Sequence, residues 1–297
     1  MDKVQRVKEL VLLLNNASMA YYNTGNTIIT DVEYDMLYEE LKQLEYETNT
    51  ILSNSPTHKV GADVVSELKT VNHNHPMLSL DKCHTTEELI EFADDRDCLL
   101  MLKLDGLTVS LEYDNGKLIA AETRGTGEKG SNILHNAFVF KNIPKEINYK
   151  ESLIIDGEAI VTYYDFDKIN ETLIDDDKYA NPRGLACGST TLLDANIAKD
   201  RCLRFVVWKV VKGLNEINNK DSNFFKLKEL ERLGFDITPT WTYTNKSSDK
   251  ENISNMLSDL RIKAEKLGYP IDGAVMLTDS ISVGIAMGRT DKFSNIP

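Results

Sequence analysis

The chain has 297 residues, enough for one large domain or two smaller ones, and its 41% hydrophobic content suffices for a real core. Forty-seven acidic against 34 basic side chains leave a net charge of −13, which argues against a stand-alone duplex-DNA binder, because neutralised phosphates supply most non-specific affinity. No apolar stretch reaches the roughly 20 residues of a membrane span and the charged N-terminus is no signal peptide, while Cys83, Cys98, Cys187 and Cys202 lack CxxC spacing; reduced thiols and a cytoplasmic, membrane-free location are expected.

Residues 1 to 48 read as about two helices. Val4, Val7, Leu10, Val11 and Leu14 share one helical face, and "TDVEYDMLYEELKQLE" opens with Thr30 and Glu33 at capping-box spacing. "SNSPTHKVGAD", residues 53–63, reads as a linker or wrapping loop. From Leu99 strands dominate. "CLLMLKLDGLTVSLEY" breaks at Asp105-Gly106, and Asn115-Gly116 turns the following hairpin. Further strands are predicted at 153–163, 203–211 and 271–277, and helices at 165–173, 223–233 and 250–267. Strands and helices do not alternate regularly, so the expected class is α+β. A small helical module with its linker, residues 1–63, precedes a domain at 64–297 with mainly antiparallel sheets and flanking helices.

Lys103 stands inside the apolar run 99–104. A strand lysine is ordinarily an edge residue that discourages aggregation or snorkels to water. It can also be a nucleophile, if neighbours such as Leu100, Leu102 and Leu104 desolvate it and favour the free amine. Lowering its pKa from ~10.4 to about 7–8 requires roughly 4 kcal/mol of environmental bias, which a buried pocket can supply.

Three other features carry less. "GTGEKG", Gly125–Gly130, matches GxGxxG by letters, but it follows a hairpin instead of the first strand of a βαβ unit. His73, His75 and His84 cluster without the carboxylate spacing of a metal site and read as solvent-exposed or loop-ordering. The acids Asp175–Asp177 read as a solvated loop.

Lys103-x-Asp105-Gly106 is followed in order by Arg124-Gly125, by Glu158 in "DGEAI" and by Asp272 in "IDGAV". Singly these are weak signals; the ordered set resembles the covalent nucleotidyltransferases, the superfamily of DNA ligases, RNA ligases and capping enzymes. "AYYNTGNTIITDVEYDMLYEELKQLE", "SPTHKVGA", "HPMLSLDKCHTTEEL", "TRGTGEKG", "YANPRGLACGS" and "GRTDKF" narrow the resemblance to bacterial NAD-dependent DNA ligases over nearly the whole chain. The resemblance implies that Lys103, beside Asp105, attacks the α-phosphorus of NAD, retains the adenylate as a phosphoramidate and releases nicotinamide mononucleotide. It further implies that Tyr21, Tyr22, Asp31, Tyr34 and Asp35 hold the nicotinamide mononucleotide half, by stacking and by carboxylates facing the cationic ring and ribose. Asp31, Tyr34 and Asp35 also suit the polar first turn of a helix. Ser79 and Leu80 would border the adenylate pocket, with Arg124, Glu158, Arg183 and Asp272 around the adenosine and phosphate, and Glu158 accepting from ribose hydroxyls or holding Mg²⁺.

The chain departs from the family pattern at five positions. Met101, Thr126, Asp156, Thr191 and Leu277 replace a glutamate, an aspartate, an arginine, an arginine and a lysine respectively, so phosphate-neutralising cations are missing. The family's last lysine-phenylalanine motif would lie beyond Pro297, as would its OB-fold, zinc finger, helix-hairpin-helix repeats and BRCT domain. The expectation is therefore a monomeric adenylation region using NAD and Mg²⁺. It would meet the nicks of replication and repair only with additional domains, and this chain alone should seal none. A degenerate NAD- or adenylate-binding module without catalysis is the alternative, favoured by Leu277 and Thr191. An RNA ligase is disfavoured by the N-terminal helical module.

Overall fold

The computed structural model describes residues 3–24, 29–48, 50, 52, 55–57, 68–73, 79–80, 85–127, 129–173, 178–216, 221–244, 250–287 and 293–294. At 15, 16, 18–24, 31, 32, 35, 79, 80, 250, 251, 293 and 294 it describes the backbone alone. The chain divides into two units, Met1–Gly61 and Ala62–Pro297.

In the first unit, helix α1 (Lys3–Thr24) and helix α2 (Asp31–Thr48) pair lengthwise. Val7, Leu10, Val11 and Leu14 recur every three or four residues, so one face of α1 is apolar, and it packs on Leu41 with Tyr34, Leu37, Tyr38 and Leu44 around it. The ion pairs Lys3–Glu47 and Arg6–Glu40 join the start of α1 to the later turns of α2, which makes the pair antiparallel. Thr30 and Glu33 form the expected capping box: the Thr30 hydroxyl accepts from the Glu33 amide at 3.2 Å, and the Glu33 carboxylate accepts from the Thr30 amide at 2.9 Å. Such a cap stabilises a helix by about 1 kcal/mol. Of the expected linker, only residues 55–57 lie within the described residues.

The second unit continues with β1 (Thr70–Asn72), β2 (Ser79–Leu80), α3 (Thr86–Ala93), β3 (Cys98–Leu104), β4 (Leu107–Asp114), β5 (Lys117–Thr123), β6 (Lys129–Ser131) and α4 (Leu134–Ala137). Then come β7 (Leu153–Ile160), α5 (Tyr163–Thr172), α6 (Pro182–Thr190), α7 (Ala195–Asp200), β8 (Arg204–Lys212), α8 (Asn223–Arg232) and β9 (Thr240–Tyr243). Helix α9 (Lys250–Leu267), β10 (Ile271–Thr278), α10 (Ile281–Ala286) and β11 (Phe293–Ser294) complete it. Sheets of order β5-β4-β7-β8 and β10-β3-β9 carry the unit, with two-stranded pairings β1-β6 and β2-β11 beside them. Among the described residues every pairing between these strands is antiparallel except β2-β11, which is the α+β architecture expected from the sequence.

The hairpin β4–β5 turns at Asn115-Gly116, both with positive φ, as a two-residue turn matched to strand twist demands. Strand β7 stops at Ile160, three residues before the predicted end. There the Thr162 hydroxyl accepts from the Asp165 amide and starts α5 two residues early. The short helices α3, α4, α6, α7 and α10 were not predicted, because four to nine residues are too few to show a helical period. Two of them carry side-chain caps that fix their starts: Thr85 and Glu88 box α3, and Asn181 caps α6 with Pro182 in its first turn.

Strand β3 lies between two cores. Leu99 and Met101 point into the larger one with Val109, Leu111, Ile155 and Phe205, while Cys98, Leu100 and Leu102 point into a smaller one under α9 with Ile253, Leu260 and Met276. Burial on both faces explains the uninterrupted apolar run. Leu111 has no exposed surface, whereas Ile119 on β5 is half exposed. Leu111→Ala is expected to lower unfolding stability by roughly 2–5 kcal/mol and Ile119→Ala by under about 1 kcal/mol, read from urea denaturation midpoints.

Candidate active site

Lys103 is the last-but-one residue of β3 and shares the face of Leu99 and Met101. Its partner on β10 is irregular: Ile271 pairs with Leu104 and Gly273 with Lys103, leaving Asp272 as the extra residue of a bulge. A bulge re-aims the side chain of its additional residue, and here the Asp272 carboxylate meets the Lys103 ammonium. The expected desolvation by Leu100, Leu102 and Leu104 is not found. Strand side chains alternate, so these leucines lie on the opposite face, and about half of the Lys103 side chain is exposed.

After Lys103 the chain turns through Asp105-Gly106 into β4. The Asp105 amide donates to the Pro270 carbonyl at 2.9 Å, and its carboxylate accepts from Arg183 Nη1 at 2.8 Å. Arg183 stands in the first turn of α6, which is fixed by the Asn181 side chain accepting from the Gly184 amide. Gly106 is required by close approach, since a Cβ there would come within 2.1 Å of the Ala159 carbonyl oxygen. That contact brings the turn against β7, one residue from Glu158.

Glu158 lies opposite Thr108 in the β4–β7 register, and the Thr108 hydroxyl donates to its carboxylate at 3.1 Å. Burial pushes the Glu158 carboxyl up to about 7, against the opposing effects of the Thr108 hydroxyl, Arg183 and the Gly106 amide. The Arg124 amide donates to the Thr108 carbonyl at 2.9 Å, which hangs the Arg124-Gly125 turn on the same strand. Lys103, Asp105, Glu158, Arg183 and Asp272 are thus brought around the β3–β4 turn, with Arg124 linked through its backbone. Thr108 is a member that sequence reasoning missed; a threonine in a strand carries no signal until its cross-strand partner is known.

Other expected residues are placed less fully. Ser79 and Leu80 form β2, which pairs with β11, and their side chains lie outside the described residues. Tyr21 and Tyr22 lie on α1, and Asp31, Tyr34 and Asp35 on α2. Of these five, only the Tyr34 side chain is described, partly buried and stacked at 6.4 Å on Tyr38. Among the departures from the family pattern, Met101 is buried and Leu277 packs partly buried against the same core. Thr191 is exposed, its hydroxyl donating to the Cys187 carbonyl at 3.1 Å. Asp156 is buried in β7, and the Thr126 amide donates to the Lys129 carbonyl in the turn.

Of the GxGxxG letters, Gly125, Thr126 and Gly127 lie in that turn, Lys129 and Gly130 start β6, and the helix that follows, α4, has only four residues, so they build no dinucleotide cradle. Cys98, Cys187 and Cys202 are free thiols, while Cys83, His75, His84 and Asp175–Asp177 lie outside the described residues. Among the described residues no three acidic, histidine or cysteine side chains gather as a metal cage. The carboxylates present, Glu158 beside Asp105, suit a magnesium ion that takes most of its ligands from phosphates and water. No described helix is long and apolar enough to cross a membrane.

Two family models match the chain: the NAD-dependent DNA ligase adenylation domain over residues 65–296, and the DNA ligase-like N-terminal NAD+-binding domain over residues 1–61. The DNA ligase of Lachnoclostridium phytofermentans is 39% identical over 292 residues, covering 98% of this chain and 44% of that protein. The DNA ligase of Ruminiclostridium cellulolyticum is 40% identical over 294 residues, with the same coverage of 98% and 44%. The chain therefore spans a little under half the length of these relatives.

The raised pKa of Glu158 has a consequence for stability. The unfolded chain ionises this group in the usual carboxylate range, the folded chain only near 7. Its contribution is therefore fully present below the unfolded pKa and is lost as pH rises to and through the folded value, with a slope of up to about 1.4 kcal/mol per pH unit. Glu158→Gln removes this titration. Urea denaturation of both proteins should show the variant gaining on wild type between about pH 4.5 and 7 and levelling off above; a difference independent of pH would refute the assignment.

Proposed function

The chain belongs to the NAD-dependent DNA ligase family, matching both its adenylation domain and its N-terminal NAD+-binding domain, and from that membership we propose that it performs the adenylation step with Lys103 as nucleophile. The observation that carries this reading is the meeting of Lys103 with Asp272 at the end of β3, beside the Asp105–Arg183 pair.

Only a free amine can attack, and Asp272 is the acceptor nearest the proton that Lys103 must lose. The amine nitrogen then bonds to the α-phosphorus of NAD, and the bond from that phosphorus to the oxygen of nicotinamide mononucleotide breaks, its electron pair leaving with the mononucleotide. Arg183 and Arg124 supply charge-assisted hydrogen bonds to the phosphates of bound NAD. Glu158, poised near neutrality, holds the ribose hydroxyls. Ser79 and Leu80 border the same pocket. Tyr21, Tyr22, Asp31, Tyr34 and Asp35 receive the nicotinamide mononucleotide half. Bound Mg²⁺ would neutralise phosphate charge, with Glu158 as the side chain to ligate it in its ionised form. A nicked duplex as later acceptor of the adenylate, together with additional domains, a monomeric working state and a cytoplasmic location, completes the proposal.

One observation favours a second reading, a binding module without catalysis. Leu277 stands where the family has a lysine and turns that position over to core packing, so one phosphate-neutralising cation is missing.

Incubation with NAD and Mg²⁺ should raise the intact mass by one adenylate, mapped by peptide analysis to Lys103 and absent from Lys103→Ala. No adduct from NAD would favour the binding module, and an adduct on another lysine would refute the assignment of the nucleophile.

If the N-terminal module orients the leaving group, ATP should not replace NAD, because a pyrophosphate would meet carboxylates where a cationic ring is expected. Equal labelling by ATP would contradict the roles given to Tyr22 and Asp35.

A further inference from the structure

We propose that His73 is a positioning residue for Arg124, a clamp on the turn that presents this arginine; the inference deepens the adenylation reading and rests on it for its kinetic part. His73 directly follows β1, whose pairing with β6 sets Val71 opposite Gly130. Strands β5 and β6 are the two arms of the turn at 124–127, and a bridge between Glu122 and Asn132 closes them. The His73 side chain is 1% exposed, wedged at the base of this turn. Its Nδ1 lies 3.1 Å from the Glu122 carboxylate, and its Nε2 lies 3.0 Å from the Arg124 carbonyl oxygen. A carbonyl oxygen only accepts, so Nε2 is the donor to Arg124.

The fit explains Gly130, the last glycine of the unused GxGxxG match. A Cβ there would stand 2.8 Å from His73 Cε1 and 1.8 Å from the Thr123 carbonyl oxygen, so a side chain would expel the ring from the turn. The Arg124 carbonyl also accepts from the Gly127 amide at 2.9 Å, while the Arg124 amide donates to the Thr108 carbonyl. Both peptide planes flanking the Arg124 Cα are thereby held, and planar peptides leave the side chain's point of departure no freedom. Thr108 in turn donates to Glu158. A run of hydrogen bonds thus joins buried His73 to the carboxylate on the other side of β4, and the ring acts through Arg124 without itself reaching the nucleotide.

The test compares His73→Gln, His73→Asn and His73→Ala in the full chain. The glutamine amide nitrogen reaches the place of Nε2 and keeps the bond to Arg124; the asparagine amide reaches only the place of Nδ1. Asn and Ala should raise the NAD concentration for half-maximal adenylation about tenfold, the loss of one buried hydrogen bond, and leave the rate at saturating NAD within about twofold. Gln should stay within about twofold of wild type on both. A role confined to stability would instead lower the active fraction and leave the half-saturating NAD concentration unchanged. Hydrogen exchange of the Gly127 amide, measured without NAD, should quicken about tenfold in Asn and Ala but not in Gln. Asn and Gln behaving alike in exchange, or an unchanged half-saturating NAD concentration in Asn, would overturn the clamp. Failure of the wild-type chain to adenylate would overturn the functional reading instead, and exchange at Gly127 would still decide the role of His73.

Discussion

From Cys98 to Leu102, strand β3 has no solvent-facing side. Two cores close on it, one through Leu99 and Met101 and the other through Cys98, Leu100 and Leu102. A strand held on both faces and bonded to β10 and β9 along its edges has little freedom to shift. Lys103 stands at the end of that strand, where the pairing with β9 has stopped at Met101 and the larger core has given way to solvent. The lysine therefore combines a fixed backbone with an accessible amine. The bulge at Asp272 and the close approach of Gly106 to Ala159 then bring the remaining polar groups to the same end.

The ion pairs at this end suit displacement better than they suit stability. Lys103–Asp272 and Asp105–Arg183 are each substantially exposed, and exposed pairs contribute at most about 1 kcal/mol. Phosphate oxygens arriving at Lys103 or Arg183 would replace a carboxylate at little cost. Glu158 differs. Its partial burial raises its pKa to about 7, so near neutrality it divides between a donor and an acceptor form. Glu158 thus costs the fold some stability as pH rises towards neutrality.

Two of the five departures from the family pattern exchange polarity for packing. Met101 and Leu277 occupy neighbouring strands on the face of β3 and β10 that Lys103 shares, and both belong to the larger core or pack against it. The apolar interior consequently reaches along that face as far as Met101 and Val275, the pair before Lys103 and Gly273. Thr191 and Thr126 are instead taken up by local hydrogen bonds of a helix end and a turn, where their hydroxyls satisfy backbone groups and carry no charge.

The elements legible in the sequence were those encoded locally: the period of α1, the capping box at Thr30, the Asn115-Gly116 turn, and the long strands and helices. The ordered set of Lys103, Asp105, Arg124, Glu158 and Asp272 could be picked out in the sequence as well, because each member has a motif around it, and Arg183 was added by the resemblance. Contacts across strands were not. No spacing could announce that Asp272 is the extra residue of a bulge, that Thr108 faces Glu158, or that His73 lies between Glu122 and Arg124, 49 and 51 residues further on. The surroundings of Lys103 were misread for the same reason: Leu100 and Leu102 are its neighbours in sequence, but alternation along a strand sends them to the other face. Local periodicity and capping follow from a few consecutive residues and are fixed before the chain folds; register, bulges and burial depend on which strands meet, and only the tertiary structure decides that.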